Sequence, residues 1–466
     1  MANVPHSERR PSVAFLLLCA FLLILWLAGG ASRADALGQA VVRGSATVVL
    51  VLALLFGKWR VQPGCRAVWL LVIATIVLVV LQLVPLPPAM WQALPGRRLF
   101  ADAIQLTGAP QPWRPLSISP SLTVNSAASL LVPLATLVLA SNLRERERTR
   151  VPALVLAMIS ATMLFGLLQL SGSGIANPLI NYVGQVSGNF ANRNHFALLL
   201  AMGCVVAPTW ALQGARDVRW RIPLALGLVL LFLLMILASG SRAGLGGGGL
   251  ALLTSLVLAR HDLKRRFGAA SKWARLGLIA APVSILFLFV GISVFFNRAA
   301  AINRLLELDS GQDLRTLALP AVLSATSAFF PFGTGFGTFD PAFRIFEPDR
   351  LLSLFYFNQA HNDLLSLVLE GGAPALILLA VAVFWWVRTS VSALRSPQGS
   401  GGRLRLTGST IILLAVLASA FDYPVRTPII MAVLVLAALW LADRYPAPAA
   451  RFTPGEAQPI ARHPRS

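Results

Sequence analysis

The sequence predicts an all-α, polytopic integral membrane protein with about 12 transmembrane helices and one large outer loop. Two observations carry this prediction. Hydrophobic residues make up 56% of the 466 residues and charged residues only 12%, whereas soluble domains carry roughly 25% charged residues. Apolar runs of roughly 18 residues or more also recur along the chain, and each is long enough to cross the bilayer as a helix.

Twelve apolar segments are predicted to span the membrane. The first follows Arg9 and Arg10 and is longer than the roughly 7–15 residues of a signal-peptide core, so we expect an uncleaved span with the N-terminus inside. An even number of spans places both termini on the same side. The predicted spans are residues 13–31, 39–57, 67–86, 123–142, 151–171, 194–213, 222–239, 243–259, 276–296, 362–387, 406–421 and 428–443.

The net charge of +21 has two interpretations. A basic chain can bind nucleic acid, but Lys and Arg also collect on the cytoplasmic loops of membrane proteins. Under the twelve-span topology, 26 of the 39 Lys and Arg residues fall on the inner segments, and each of these segments is basic. The topology therefore explains the charge without nucleic acid, and it predicts that both termini are cytoplasmic.

The spans divide the chain into four predicted parts. Residues 1–296 form a membrane domain with spans one to nine, and residues 297–361 form the large outer loop. Residues 362–445 form a membrane domain with spans ten to twelve, and residues 446–466, rich in Pro, Ala and Arg, form a disordered tail. Because loops as long as 297–361 are usually functional, we expect the reactive centre there.

Metal binding and transport are not indicated. The three cysteines have no spacing typical of a metal site or a disulfide framework, and no His/Cys cluster or Asp-x-Asp motif suggests a metal. Nearly all acidic residues lie in loops, and only Glu370 sits well within a predicted span. A proton-coupled carrier normally places ionisable residues near the membrane midplane. We therefore expect no metal and no cofactor, and we favour an enzyme over a transporter.

Two polar motifs at predicted outer helix ends are candidate anion sites. Asn192, Arg193 and Asn194 begin span six, where side chains and unpaired backbone N–H groups bind anions; the alternative is a polar helix cap. Arg242 lies at the start of span eight, where a charge is costly unless it is paired or hydrated. The alternative for Arg242 is a snorkelling side chain, and the glycines that follow it allow neighbouring helices to approach closely.

The large outer loop and its exit supply the other candidates. Arg315 lies early in the loop, and residues 332–339 alternate aromatic with small residues, which suits an aromatic wall or a close-packed turn. At the end of the loop, His361 is followed by Asn362 and Asp363. A histidine near a carboxylate at a water–membrane boundary suits a general base near neutral pH, although a lone histidine is often structural. Glu370, on the same span, is expected to face the same cavity.

These candidates share one kind of chemistry. They are several guanidinium groups and one imidazole, with no metal site among them. Such a set suits a substrate whose phosphate or pyrophosphate departs with its negative charge neutralised by arginine.

The order of the motifs resembles the O-antigen ligase and polymerase superfamily, the Wzy_C-type proteins. The resemblance covers roughly 185–375. It rests on Gly-x-Phe-x-Asn-Arg-Asn-His-Phe from Gly188, Gly-Ser-Arg-x-Gly-Leu from Gly240, Arg315, Gly-Thr-Gly-Phe-Gly-Thr-Phe from Gly333, and Ala-His-Asn-Asp from Ala360 with Glu-Gly-Gly from Glu370.

This resemblance implies a bacterial inner-membrane glycosyltransferase of the GT-C type that works without metal. Such enzymes take a glycan from undecaprenyl diphosphate at the periplasmic face. Ligases transfer it to a hydroxyl of lipid A-core, and polymerases transfer it to another lipid-linked repeat. A flippase or transporter of a lipid-linked glycan is the alternative from a different class.

The resemblance also implies roles for individual residues. Arg242 and Arg315 would bind the donor pyrophosphate, and His361 would accept the proton of the attacking hydroxyl. Supporting roles would fall to Asn192, Arg193, Asn194, Asn362 and Glu370.

Overall fold

The computed structural model describes most of the chain, and the described part is almost entirely helical. It covers residues 10–33, 36–57, 63–180, 185–213, 220–269, 314–352, 359–395 and 400–443, with the backbone alone at 63, 261–269, 314–315 and 400. Its helices are α1 (Val13–Ala28), α2 (Leu37–Phe56), α3 (Arg66–Leu81), α4 (Pro88–Gln92), α5 (Arg98–Gln105), α6 (Pro120–Ser129), α7 (Leu131–Ser141), α8 (Glu145–Arg148), α9 (Val151–Leu170), α10 (Arg193–Ala211), α11 (Arg221–Ser239), α12 (Arg242–Ala269), α13 (Leu314–Phe329), α14 (Phe339–Arg344), α15 (Asp363–Arg395), α16 (Ser400–Ser419) and α17 (Pro428–Ala442).

Short elements connect these helices. Within the described ranges, the strands are β1 (Pro85–Leu86) and β2 (Arg114–Pro115), which pair antiparallel. Short 3₁₀ turns lie at Pro63–Cys65, Asp349–Leu351 and Pro424–Arg426.

The predicted all-α polytopic fold is confirmed. Among the described residues, eight helical segments are long and apolar enough to cross a membrane, and four apolar helices of 10–17 residues accompany them. Eleven of the twelve predicted spans overlap observed helices, and the ninth, 276–296, lies outside the described residues. These helices are apolar on most faces because both lipid and neighbouring helices present apolar surface.

Helix α10 lies at the centre of the bundle. It is the most buried of the eight long apolar segments, and it packs against α9, α11, α12 and α16. Gly203 permits this packing, because a Cβ atom there would lie 2.8 Å from the side chains of Ile159 and Phe232. The polar residues at the start of α10 therefore lie in the interior of the bundle, near one of its ends.

The segment 297–361, which the sequence presents as a loop, contains the helices α13 and α14. Helix α13 packs against α15 through a second hydrophobic core that includes Ala318, Val322, Phe329 and Leu369. Helix α13 has Pro320 in its interior, and Arg, Ser and Thr residues interrupt its apolar positions, so its sequence pattern does not predict a membrane-spanning helix. The predicted division of the chain into parts stays a prediction.

Residues 331–338 form a close-packed turn, one of the two structures expected for this motif. Thr334 and Gly335 donate their backbone N–H groups to the carbonyls of Leu369 and Glu370, both at 2.9 Å. Helix α15 breaks here at Gly372, where φ is 60°. Because a Cβ atom on Gly372 would lie 2.1 Å from a carbonyl oxygen of the turn, only glycine fits this break.

The Pro-rich segment between α3 and α6 folds onto the same turn through a buried arginine. Arg97 is 3% exposed, and its Nη2 donates to the carbonyls of Leu116 at 2.6 Å and Gly333 at 3.0 Å. Its guanidinium also lies over the ring of Phe329, 5.2 Å from the centroid. This side chain therefore links two segments that are far apart in sequence.

Candidate functional site

A buried carboxylate, Asp422, lies in the connection between α16 and α17. Its side chain is 4% exposed, and its Oδ2 atom accepts hydrogen bonds from the Nδ2 atoms of Asn192 and Asn194, both at 2.8 Å. Asn192 also caps α10, because its Oδ1 accepts from the backbone N–H of Asn194 at 2.8 Å. The polar start of α10 is thus a helix cap that in addition binds a carboxylate from a distant part of the chain.

Two histidines flank Asp422. Nδ1 of His361 lies 3.5 Å from its Oδ1, and Nε2 of His195 lies 3.8 Å from its Oδ2. The ring of Tyr423 contacts both imidazoles, with centroid distances of 5.0 Å to His361 and 5.4 Å to His195. The side chain of His361 is 25% exposed, whereas that of His195 is 2% exposed. His361 is therefore the histidine that a substrate can reach more easily.

The backbone holds His361 against Asp422. His361 has a φ of 49°, a left-handed conformation that few non-glycine residues adopt. Asn362 caps α15 through two backbone N–H groups and donates its own Nδ2 to the carbonyl of Ala420 at 2.9 Å. The backbone N–H of Asp363 donates to the carbonyl of Asp422 at 3.2 Å. These bonds join the turn that carries His361 to the turn that carries Asp422.

The surroundings of Asp422 keep it ionised. Burial raises the pKa of the Asp422 carboxyl, but the imidazoles of His361 and His195 and the amides of Asn194 and Asn192 outweigh burial and hold that pKa well below its ordinary value. An ionised carboxylate favours the His361 tautomer that carries its proton on Nδ1, and this tautomer has its lone pair on Nε2. The pair is therefore arranged for His361 to accept a proton.

A cavity of about 700 Å³ opens beside Asp422. Its polar end is lined by Arg193, His195, Arg242 and Asp422, and its other walls are mainly apolar side chains and glycines of α10, α12 and α16. Helices α10 and α12 both begin at this polar end, at Arg193 and Arg242. Because helix N-termini and guanidinium groups both attract anions, this end of the cavity suits a phosphate or diphosphate.

Ser241 fixes the start of α12 against α10. Its Oγ donates to Oδ1 of Asn194 at 2.8 Å and accepts from the backbone N–H of Gly244 at 2.9 Å. The two helices touch closely at this point, since a Cβ atom on Gly244 would lie 2.4 Å from the Cβ of Ala197. The contact sets the position of Arg242 beside the cavity.

A second polar cluster lies on the other side of the Asp422 connection. Glu370 is 1% exposed, and its Oε2 accepts from Nη2 of Arg426 at 3.0 Å. Nε of Arg426 lies 3.7 Å from Oδ1 of Asp363, and Oε1 of Glu370 accepts from the backbone N–H of Phe339 at 3.2 Å. Glu370 was expected to face the cavity, but it is not among the residues that line it. It instead holds the Asp422 connection to the 331–338 turn.

We expect Glu370→Gln to destabilise the protein by roughly 3 kcal/mol, because removing one charge of a buried pair leaves Arg426 with Asp363 alone. Thermal unfolding in detergent micelles measures the change. Arg344→Gln is the matched control, since Arg344 pairs with Asp340 at 3.0 Å on an exposed surface, and such pairs contribute about 0.2–1 kcal/mol. Equal stability losses for the two variants would contradict a structural role for the Glu370–Arg426 pair.

The structure gathers most of the predicted site residues. Asn192, Asn194 and His361 lie at Asp422, and Arg193, Asn194 and Arg242 line the cavity beside it. His195 is among the residues that line the cavity, whereas His361 is not. Asn362 positions the His361 turn, and Glu370 belongs to the neighbouring ion-paired cluster. Arg315 is the second residue of α13, and its side chain lies outside the described residues.

Sequence reasoning missed Asp422 and Arg426. Both lie between the last two predicted spans, where charged residues are ordinarily solvated. One signal was present: an acid and an arginine flank Tyr-Pro-Val in a short connection between two apolar segments, on the same predicted side of the membrane as His361. Oppositely charged residues in so short a turn between spans need partners, and those partners are the other polar motifs.

Comparison with known families gives one match. Residues 227–380 match a family model described as O-antigen ligase. The matched range contains Arg242, Arg315, His361 and Glu370, whereas Asp422 lies beyond its end. A comparison with curated proteins gave no match.

Proposed function

We propose that this chain, which belongs to the O-antigen ligase and polymerase family through residues 227–380, transfers a glycan from undecaprenyl diphosphate to an acceptor hydroxyl. The observation that supports this proposal is the cavity, which combines two guanidinium groups and two helix N-termini with apolar walls, next to the paired His361 and Asp422. A lipid diphosphate has the same division into a charged head and an apolar chain.

In the proposed donor complex, the diphosphate lies at the polar end of the cavity. Arg242 and Arg193 line that end, and Arg315 is proposed as a further ligand, as the family resemblance implies. The departing diphosphate gains negative charge in the transition state, so the guanidinium groups and helix N-termini stabilise it more strongly than the ground state.

In the proposed reaction, the acceptor oxygen forms a bond to the anomeric carbon of the donor sugar as the bond from that carbon to the diphosphate oxygen breaks. The leaving undecaprenyl diphosphate takes the electron pair of the broken bond. Nε2 of His361 takes the proton of the attacking hydroxyl, and Asp422 stabilises the imidazolium that forms. Arginine neutralises the leaving group, and we propose a GT-C type reaction that requires no metal.

The proposed setting is the bacterial inner membrane, with both termini cytoplasmic and the cavity at the periplasmic face. Two arguments support it. The inner segments of the predicted topology are all basic, and the motifs that meet at Asp422 all come from segments that this topology places outside.

Purified wild-type protein in proteoliposomes tests the proposal. With an undecaprenyl-diphosphate-linked oligosaccharide and an acceptor, we expect a new glycosidic bond and release of undecaprenyl diphosphate, at a rate that EDTA does not change. Movement of an unchanged lipid across the bilayer, with no new bond, would instead show a flippase. Loss of the activity in EDTA would contradict the metal-independent mechanism.

The acceptor separates the two activities within the family. Lipid A-core and a second lipid-linked repeat are therefore offered in parallel assays, and the product mass identifies the acceptor that is used. In a deletion strain, loss of all O-chain from lipid A-core indicates a ligase. Single-repeat caps indicate an O-antigen polymerase, and loss of exopolysaccharide alone indicates an exopolysaccharide polymerase.

A further inference from the structure

The apolar part of the cavity opens to the side of the bundle. Leu417 and Phe421 line the cavity and are 46% and 64% exposed. Exposed apolar side chains also lie on two of the helices that line the cavity, at Leu253 on α12 and Val416 on α16. Because helices of this composition lie in hydrocarbon, the opening faces lipid rather than water.

Two glycines of α12 form part of the cavity wall. A Cβ atom on Gly246 would meet no atom within 4 Å, and one on Gly247 would come no closer than 3.9 Å to Ala201 or Leu414. Both residues line the cavity. The expectation that these glycines bring helices together holds at Gly244, but at Gly246 the missing side chain leaves open space instead.

The volume limits what the cavity can hold. At about 700 Å³, it has the size of a pocket for one small molecule, since such pockets measure roughly 300–1,000 Å³. A diphosphate at the arginine end leaves room for the nearest part of a lipid chain, while the rest of a long chain stays in the bilayer. Prenyl chains carry a methyl branch on every five-carbon unit, so they need a wider groove than straight acyl chains.

We propose that the cavity recognises the prenyl units nearest the diphosphate, and that Gly246 and Gly247 determine this specificity by leaving room for the branched chain. The inference rests on the proposed function, because it concerns the lipid part of the same donor. The cavity combines the charges of Arg193 and Arg242 with an apolar opening at Leu417 and Phe421, and this combination suits a prenyl diphosphate.

Binding of glycan-free diphosphates tests the inference separately from transfer. The probes are undecaprenyl diphosphate, the shorter geranylgeranyl diphosphate and straight-chain hexadecyl diphosphate, with affinity measured by thermal stabilisation of the purified protein in micelles. We expect the two prenyl diphosphates to bind wild-type protein within about threefold of each other, because the extra chain stays in the micelle. Hexadecyl diphosphate should bind more weakly than either.

Gly246→Leu and Gly249→Leu form a matched pair. A Cβ atom would meet no atom within 4 Å at either position, but only Gly246 lines the cavity, and both changes favour helix formation equally. We expect Gly246→Leu to weaken prenyl diphosphate binding about tenfold, as the loss of two buried methylene groups would. Gly249→Leu should bind as the wild type does.

Three outcomes would overturn the inference: wild-type affinity in Gly246→Leu, equal losses in both variants, or a steep increase in affinity from geranylgeranyl to undecaprenyl diphosphate. Failure of the proposed function is a different result. In that case the wild-type protein would bind prenyl diphosphates as described, yet form no glycosidic bond with any acceptor.

Discussion

Replacing His361 by Asn is expected to lower the rate of glycan transfer about 10²–10⁴-fold, the usual contribution of a general base. Asparagine suits this position because it tolerates a positive φ, and His361 has a φ of 49°. The variant therefore removes the proposed base while it keeps the backbone that joins the two turns. The measurement is kcat for transfer in proteoliposomes as a function of pH.

Asp422→Asn provides the complementary variant. The pKa of Asp422 is held below its ordinary value, so this carboxylate stays ionised near neutral pH. We expect Asp422→Asn to reduce kcat less than His361→Asn, because it removes only the charge that orients and stabilises His361. A His361→Asn enzyme with the wild-type rate and pH profile would remove His361 from the mechanism.

Arg242→Ala is expected to reduce kcat/KM about 10²–10³-fold, the effect of losing one donor to a developing negative charge. Arg242 lines the polar end of the cavity and begins α12. Arg242→Lys should recover part of the loss, because lysine restores the charge but not the two parallel hydrogen bonds of a guanidinium. The measurement is the initial rate of undecaprenyl diphosphate release at several donor concentrations.

Arg344→Ala is the control for this series. Arg344 is an exposed arginine that pairs with Asp340 and is not among the residues that line the cavity. Its removal should leave kcat/KM unchanged within about twofold, since exposed pairs contribute little. Equal losses in Arg242→Ala and Arg344→Ala would show that general positive charge, rather than a bound diphosphate, explains the requirement for arginine.

The fold was largely predictable from the sequence because membrane helices obey strong local rules. Each span must be apolar over most of its length, so composition alone finds helices such as α10 and α12. Helix α13 is not predicted, because its local sequence does not distinguish a short amphipathic helix packed on protein from an ordered loop. The hydrophobic face of α13 is buried by packing against α15, which lies further along the chain.

The sequence predicts most of the residues around the site, but not Asp422, which lies at its centre. Asn194, Arg242 and His361 stand out because polar residues at the ends of membrane helices need hydrogen-bond or charge partners. Asp422 does not stand out, since a carboxylate in a loop is ordinarily solvated. Its 4% exposure and its amide partners arise only when α10, α15 and the α16–α17 connection meet, and sequence spacing does not record that meeting.

Glu370 shows the opposite error. A carboxylate within a span suggests a functional group that faces a cavity, but the side chain meets Arg426, whose position the spacing does not reveal. A buried charge needs a partner. For Glu370 that partner is Arg426 and not a group in the cavity. The positions of the charges were thus accessible from the sequence, and their pairing was not.

The lateral opening at Leu417 and Phe421 affects how the apparent KM for the donor depends on the amount of lipid. A donor that enters through it arrives by diffusion in two dimensions, so its effective concentration is its mole fraction in the bilayer and not its amount per litre. Adding inert lipid or detergent should therefore raise the apparent KM for the donor in proportion to the dilution. The proposed acceptors, lipid A-core and a lipid-linked repeat, lie in the same bilayer, so their apparent KM should rise in the same proportion.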